Sequence, residues 1–251
     1  MLRVHQVVVE FGGFRAVNEV SLAVQAGAMV GIAGTNGAGK TSLFGAIAGQ
    51  VATAGGAIHF NGHDITRLPP YRRARAGLAR SFQVPREFGR LSVLDTMRAA
   101  APNDAHETLY AAWLGRAASR RADKRLAQQA DEVLALVGLQ AVRELPAAAL
   151  SGGQKKLLEL ARALMLAPRC ILLDEPFAGV NPVLIGHLLD VLRAIHARGI
   201  ALLVIEHHLQ ALKALVPRLI VMDQGRVIAD GEPGTVLESS GVQAAYMGGV
   251  V

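Results

Sequence analysis

The sequence predicts an α/β protein with a mostly parallel core sheet, an antiparallel β region at the N-terminus and an inserted helical subdomain. Three observations carry this. Residues 151–206 alternate helix, strand, helix, strand, which is the rhythm of βαβ units. The first 60 residues are short β-like runs separated by glycines. Residues 64–150 are rich in Ala, Arg and Leu and read as helical, with breaks at Pro69, Pro70, Pro85, Pro102 and Pro146.

The elements follow in order. Residues 4–10 and 17–24 carry the β-branched residues of strands, and Gly12, Gly13, Gly27, Gly55 and Gly56 punctuate them. Residues 28–33 form an apolar run that suits a buried strand. Residues 42–48 follow as a helix stopped by Gly49. Residues 100–125 read as a surface insertion holding the only tryptophan, Trp113. Beyond them come a helix at 154–166, a strand at 170–174, a helix at 183–198 and a strand at 201–206. Residues 221–229 read as a hairpin turning at Gln224-Gly225. The expected organisation is a single domain, 1–251. Its core comprises 1–83 and 151–251, and its helical subdomain comprises 84–150.

Composition narrows the function classes. Half of the 251 residues are apolar, so a substantial core is available. No stretch reaches the roughly 18 uncharged apolar residues of a membrane span. The first residues lack the basic-then-apolar layout of a secretion signal, so a cytoplasmic chain is expected. One cysteine, Cys170, excludes an internal disulfide and a cysteine-cluster metal site; its apolar neighbours predict a packing role. The net charge is +6, and the densest basic stretches are 71–75 and 116–125. Neither stretch is interleaved with aromatics, which make up 4% of the chain, so stacking on nucleic acid is not expected. Solvated helix faces are the expected fate of both stretches, with a membrane-adjacent or partner-facing surface as the alternative.

Two constellations carry chemistry. Gly34-Thr35-Asn36-Gly37-Ala38-Gly39-Lys40-Thr41 has two glycines spaced for a phosphate loop, followed by Lys and Thr. Its glycines let successive N–H groups turn inward towards phosphate oxygens, and the following helix adds its positive end. Lys40 supplies a point charge for the β- and γ-phosphates, and the Thr41 hydroxyl suits Mg²⁺. Residues 170–175 form an apolar strand ending in Asp174 and Glu175. Strand carboxyl ends are where α/β sheets place ligands. Asp174 can hold Mg²⁺, and Glu175 can polarise a water for attack on the γ-phosphate. The fold class is thus a P-loop NTPase core. Ser151-Gly152-Gly153 opens a helix and offers either a second backbone anion site or an ordinary cap at Ser151.

In order, the phosphate loop, Ser81-Phe82-Gln83, the Leu-Ser-Gly-Gly-Gln run at 150–154, the strand ending Asp174-Glu175 and Ile205-Glu206-His207 resemble the ATP-binding subunits of ATP-binding-cassette (ABC) transporters over nearly the whole chain. The resemblance implies ATP and Mg²⁺ as ligands. It implies that Phe11 stacks on adenine, with Phe14 as the fallback. Gly34, Asn36, Gly37, Ala38, Gly39, Lys40, Thr41 and Ser42 then hold phosphates. Gln83 senses metal and water, Glu175 is the general base, and His207 contacts the γ-phosphate. Thr41, Gln83 and Asp174 serve the metal. Ser151, Gly152 and Gly153 belong to the half-site that a second ATP-binding subunit lends, in a head-to-tail homodimer or heterodimer, the heterodimer being favoured.

Residues 175–182, 80–83, 205–207 and the ending at 245–248 resemble the larger ATPase of branched-chain amino-acid importers. That implies membrane permeases as partners, an extracytoplasmic solute-binding protein indirectly, and a peripheral place on the cytoplasmic face of the plasma membrane. Related branches serve urea or short amides, or lipopolysaccharide export. A soluble cassette protein acting on ribosomes or DNA is the alternative from another class, against which one cassette and no heptad run weigh. Three departures stand out. Thr35 replaces a frequent Pro, Asn181 replaces the usual Asp, and His208 stands where Asp is common.

Overall fold

A computed structural model describes residues 1–81, 90–101 and 116–247; the side chains of 116–122 and 247 are outside the description. The chain divides into two compact units. One comprises residues 1–80, 169–178 and 185–251, and the other 81–168 and 179–184.

The first unit holds two sheets. Strands β1 (Leu2–Phe11), β2 (Phe14–Val24), β4 (Gly55–Phe60) and β5 (His63–Asp64) make an antiparallel sheet in the order β2-β1-β4-β5. Alternation along β1 sends Leu2, Val4, Val7 and Val9 inward. The other sheet runs β10-β9-β3-β8-β7-β6, built from β3 (Met29–Gly34), β6 (Leu78–Arg80), β7 (Cys170–Asp174), β8 (Ala201–Ile205), β9 (Arg218–Asp223) and β10 (Arg226–Gly231). Its strands are parallel apart from β10, which pairs antiparallel to β9. β3 and β8 are buried throughout, as expected of central parallel strands covered on both faces.

Helix α1 (Lys40–Ala48) leaves the carboxyl end of β3 and touches strands of both sheets. Phe44 and Ile47 join Val4, Ile58, Phe60, Leu172, Leu203 and Ile205 in one core. The sequence placed this helix at 42–48; the structure starts it two residues earlier, at Lys40, so the lysine opens the first turn. Gly49 caps it in the left-handed conformation, as the sequence predicts. Cys170 is buried, and desolvation pushes its thiol up to about 12, which fits a packing role.

The second unit packs α3 (Val93–Ala100), α4 (Arg116–Leu136) and α5 (Gly152–Leu164) against one another. Met97, Leu134 and Leu158 are at its centre. The sequence began α5 at 154, but the structure begins it at Gly152. A capping box explains the difference: the Gln154 N–H donates to Ser151 Oγ, and the Ser151 N–H donates to Gln154 Oε1. Helix α6 (Pro182–Ala197) starts on Asn181, whose Oδ1 accepts from the Val183 N–H at 2.9 Å. The turn between β9 and β10 has Gln224 and Gly225 both at positive φ, the geometry of a two-residue hairpin.

One basic residue departs from the expected solvated face. Lys124 and Arg125 are exposed, but Arg73, in helix α2 (Pro70–Arg75), is 2% exposed. Its Nη1 donates to the carbonyls of Ala46 and Ile47, at 2.6 and 2.7 Å. Nε donates to Leu68 O and Nη2 to Thr66 O. The last carbonyls of a helix run short of backbone partners; here Ala46 O accepts from the Gly49 N–H as well, and a guanidinium is the one side chain with enough donors in a fork to reach several at once. Arg73 therefore ties the far end of the phosphate-loop helix to residues 66–68. Arg73→Leu is expected to lower the unfolding free energy by about 3 kcal/mol, because it strands these carbonyls. Arg73→Lys should recover only part of that, since an ammonium cannot span the same fork. Urea unfolding monitored by circular dichroism checks both; an unchanged midpoint for the leucine variant would contradict the assignment.

Candidate functional site

The site is built where parallel strands end. The chain leaves β3 at Gly34 and turns through residues 35–39 before α1 starts at Lys40. Gly39 has φ 94°, and a Cβ there would sit 2.1 Å from Ala16 O. No side chain fits, so the loop can press directly on β2. The other side is braced by the β9–β10 turn. The Gly225 N–H donates to Ala38 O at 3.1 Å, and Thr35 Oγ1 lies 3.3 Å from Asp223 Oδ1. The loop's shape is thus braced by the backbone of β2 and of the β9–β10 turn and by the Asp223 side chain.

Lys40 is 5% exposed. Its Nζ donates to Gly34 O and Thr35 O, both at 2.8 Å. The ammonium is folded into its own loop. Burial pushes its pKa down, while the charges of Glu175 and Asp174 push it back up. An anion entering the loop finds a desolvated cation already in position.

Asp174 and Glu175 leave the carboxyl end of β7 beside it. Glu175 has φ 50°, an uncommon value for a residue with a side chain, held by its N–H donating to Ile205 O at 2.9 Å. His207, just past β8, places Nε2 2.5 Å from Glu175 Oε1, with the ring N–H donating to the carboxylate. Both line an open cleft of about 320 Å³ together with Asn36, Gly37, Ala38, Gly39, Lys40, Thr41 and Ser42. Phe11 and Phe14 line the same cleft and are 50% and 66% exposed. Large apolar rings left this open at a cleft wall suit stacking on a planar ligand.

Of the sequence-predicted residues, Phe11, residues 36–42, Glu175 and His207 therefore converge, with Gly34 at the loop's start. Asp174 sits next to Glu175, and its Oδ2 accepts from Arg80 Nη2 at 2.5 Å. Gln83 lies outside the described residues. Ser151 and Gly152 are exposed in the second unit. A Cβ at Gly153 would meet the end of the Leu184 side chain, whereas one at Gly152 meets nothing within 4 Å.

Three contributors were not assigned from sequence. Glu206 is buried, and its carboxylate accepts from the N–H groups of Phe177, His207 and His208 at 2.7, 2.9 and 3.2 Å. One side chain thereby sets both the loop carrying Glu175 and the loop carrying His207. Its only sequence signal is an acid directly after an apolar strand. His208 takes the capping work that an Asp would do: its Nδ1 accepts from the Ala211 N–H at the start of helix α7 (Leu209–Leu215). Arg80, at the end of β6, is the third.

A phosphate loop after a parallel strand, a histidine just past the neighbouring strand and two acids at the tip of the next define a P-loop nucleotide-binding ATPase. Comparison with known proteins places it further. A match to the family described as ABC transporter covers residues 17–178. A probable branched-chain amino acid transport ATP-binding protein, LivG, of Archaeoglobus fulgidus is 33% identical, over 95% of this chain and 91% of its own. The lipopolysaccharide export system ATP-binding protein LptB of Escherichia coli is 34% identical over 95% and 93%. The crystal structure of an ATP-binding cassette of an ABC transporter in its ADP conformation superposes with a TM-score of 0.86, at 31% identity over 99% of this chain and 98% of that one. The chain belongs to the ABC transporter family, as a nucleotide-binding subunit that hydrolyses ATP for transport. Subunits of this kind work with membrane permease components.

Glu206→Ala should cost about 2 kcal/mol, because the buried Phe177 N–H and the two part-buried N–H groups of His207 and His208 lose a charged acceptor. Thermal unfolding of the purified chain measures it. An unchanged melting temperature would show that the carboxylate does not hold the two loops.

Proposed function

We propose that this subunit energises import of branched-chain amino acids or similar small solutes. The observation that carries this is near-full-length similarity to proteins named for that transport, BraF of Pseudomonas aeruginosa at 32% identity over 99% of this chain among them. The similarity to LptB supports a second reading, export of lipopolysaccharide. A urea or short-amide importer is a further variant of the first.

The lining of the cleft supports the roles given to Phe11, residues 36–42, Glu175 and His207; those of Asp174 and Gln83 rest on the family resemblance. Phe11 stacks on adenine, with Phe14 close enough to share the task. Residues 34–39 offer backbone N–H groups to the phosphates, and Ser42 adds its hydroxyl. Lys40 exchanges its two carbonyl partners for phosphate oxygens, a charge-assisted contact made by a nearly inaccessible ammonium. Glu175 takes a proton from the attacking water. His207 holds the Glu175 carboxylate and contacts the γ-phosphate. Gln83 reaches the metal and that water.

Mg²⁺ fits the side chains available. The Thr41 hydroxyl is exposed at the cleft, and Asp174 offers one carboxylate. Among the described residues no group of three His, Cys, Asp or Glu could hold a metal by itself. Mg²⁺ is commonly held by one or two carboxylates plus substrate phosphates, with water completing its shell. Bound there it would neutralise charge on the β- and γ-phosphates. Thr41, Asp174 and Gln83 are the residues to hold it.

Ser151, Gly152 and Gly153 are the part of the site lent to a second ATP-binding subunit. Gly152 supports this: it is exposed, and nothing among the described residues requires it to lack a side chain. We read residues 1–251 as one ATP-binding domain, pairing with a sister ATPase in a heterodimer. It docks on permeases at the cytoplasmic face of the plasma membrane, and an extracytoplasmic binding protein delivers solute. Nucleic acid is not a partner. No helix among the described residues is long and apolar enough to cross a membrane, which fits peripheral attachment.

Three outcomes are expected. Lys40→Ala weakens ATP binding about tenfold or more in equilibrium dialysis, the loss of one charge-assisted contact. Glu175→Gln keeps ATP affinity but lowers hydrolysis about 10²-fold or more when assayed with its partners. Cells whose only copy carries Glu175→Gln lose uptake of radiolabelled leucine. Undiminished hydrolysis would remove Glu175 as the base, and unaltered leucine uptake would turn the substrate reading towards export.

A further inference from the structure

Arg80 forms an ion pair with Asp174. It is the last residue of β6, which pairs in parallel with β7. Its Nη2 donates to Asp174 Oδ2 at 2.5 Å, and the two side chains are 13% and 19% exposed. Its Nη1 donates to Gln50 Oε1, in the turn that follows α1. The guanidinium is therefore fixed at both ends, and it reaches the one carboxylate that the metal needs.

The local charges make this consequential. Lys40 feels the charges of both Asp174 and Glu175, Arg80 pairs with Asp174, and His207 meets Glu175. Before nucleotide enters, the carboxylates are balanced from within the chain. A divalent cation approaching Asp174 alone meets a guanidinium in contact with its ligand and a buried ammonium close by. A nucleotide changes the balance, because its phosphates bring negative charge and draw Lys40 towards themselves.

We propose that Arg80 is a positioning residue that competes with the metal for Asp174, so that Mg²⁺ enters this site with the nucleotide and not before it. The inference rests on the ATP reading of the cleft. It assigns Arg80 neither a contact with ATP nor a part in the chemical step. The guanidinium holds the carboxylate in place while the site is empty, and it gives that carboxylate up when a doubly charged ion arrives with its own anions.

The test uses the full chain and reads metal binding directly. Mn²⁺ serves as the probe ion, its binding to nucleotide-free protein followed by electron paramagnetic resonance. A fluorescent ATP analogue, titrated in EDTA and across a Mg²⁺ series, reports nucleotide binding. Arg80→Gln should bind Mn²⁺ about fivefold more tightly without nucleotide, the scale of one partly exposed ion pair. It should also lower the Mg²⁺ concentration that half-saturates the Mg²⁺-dependent part of analogue binding. Arg80→Lys, which keeps the charge without the fork, should fall between the two. Gln50→Ala loosens the guanidinium's other anchor and should shift Mn²⁺ affinity in the same direction, so the inference stays testable if Arg80→Gln folds poorly. A variant that binds Mn²⁺ no better than the parent, or worse, overturns the competition. If the parent binds analogue normally, that failure is confined to Arg80. If the parent binds no analogue with or without Mg²⁺, the ATP reading falls, and this inference with it.

Discussion

The structure depends on a buried ammonium held by backbone. Lys40 is nearly inaccessible, and two carbonyls of its own loop hold it at the end of the central strand. A buried cation needs partners close at hand, and the loop must bend to supply them. That bend is possible because Gly39 lets the chain press on Ala16 O. It persists because β2 and the β9–β10 turn support the loop from outside. The sheet order puts β9, β3, β8 and β7 side by side, so the loop, Glu175 and His207 emerge from neighbouring strand ends. Residues of the candidate site that are far apart in sequence meet because parallel strands all end at one edge.

A second layer of polar contacts fixes what the strands only bring near. The Glu206 carboxylate gathers N–H groups from the loops after β7 and β8. The His207 ring then meets Glu175. Arg73 anchors the far end of the phosphate-loop helix. Glu206 and Arg73 each use a charged group to satisfy several backbone groups at once, which costs less than leaving them unpaired. The proposed hydrolysis relies on this rigidity, since the nucleotide needs its partners in place beforehand.

Much of this was legible in the sequence. The phosphate loop announces itself through glycine spacing, and the apolar runs at 170–174 and 201–205 are strands in the structure. Gly49, Ser151 and Asn181 mark helix ends where their chemistry predicts. What stayed hidden is long-range. Arg73 sits in a basic run that reads as surface, and its burial depends on carbonyls some 27 residues away in the chain. Arg80 and Asp174 are 94 positions apart, and no local pattern pairs them. Glu206 looks like the acid at the end of a strand until its three donors are seen. His208 departs from the family's usual residue, yet the structure shows the same capping work done by an imidazole.

The most direct test of the account is to tag the chain, extract native membranes in mild detergent and identify what co-purifies. Two multi-span permeases and a sister ATPase, recovered as a complex that hydrolyses ATP, are the predicted result. Recovery only from the soluble fraction, bound to ribosomes or DNA, would contradict the transport account.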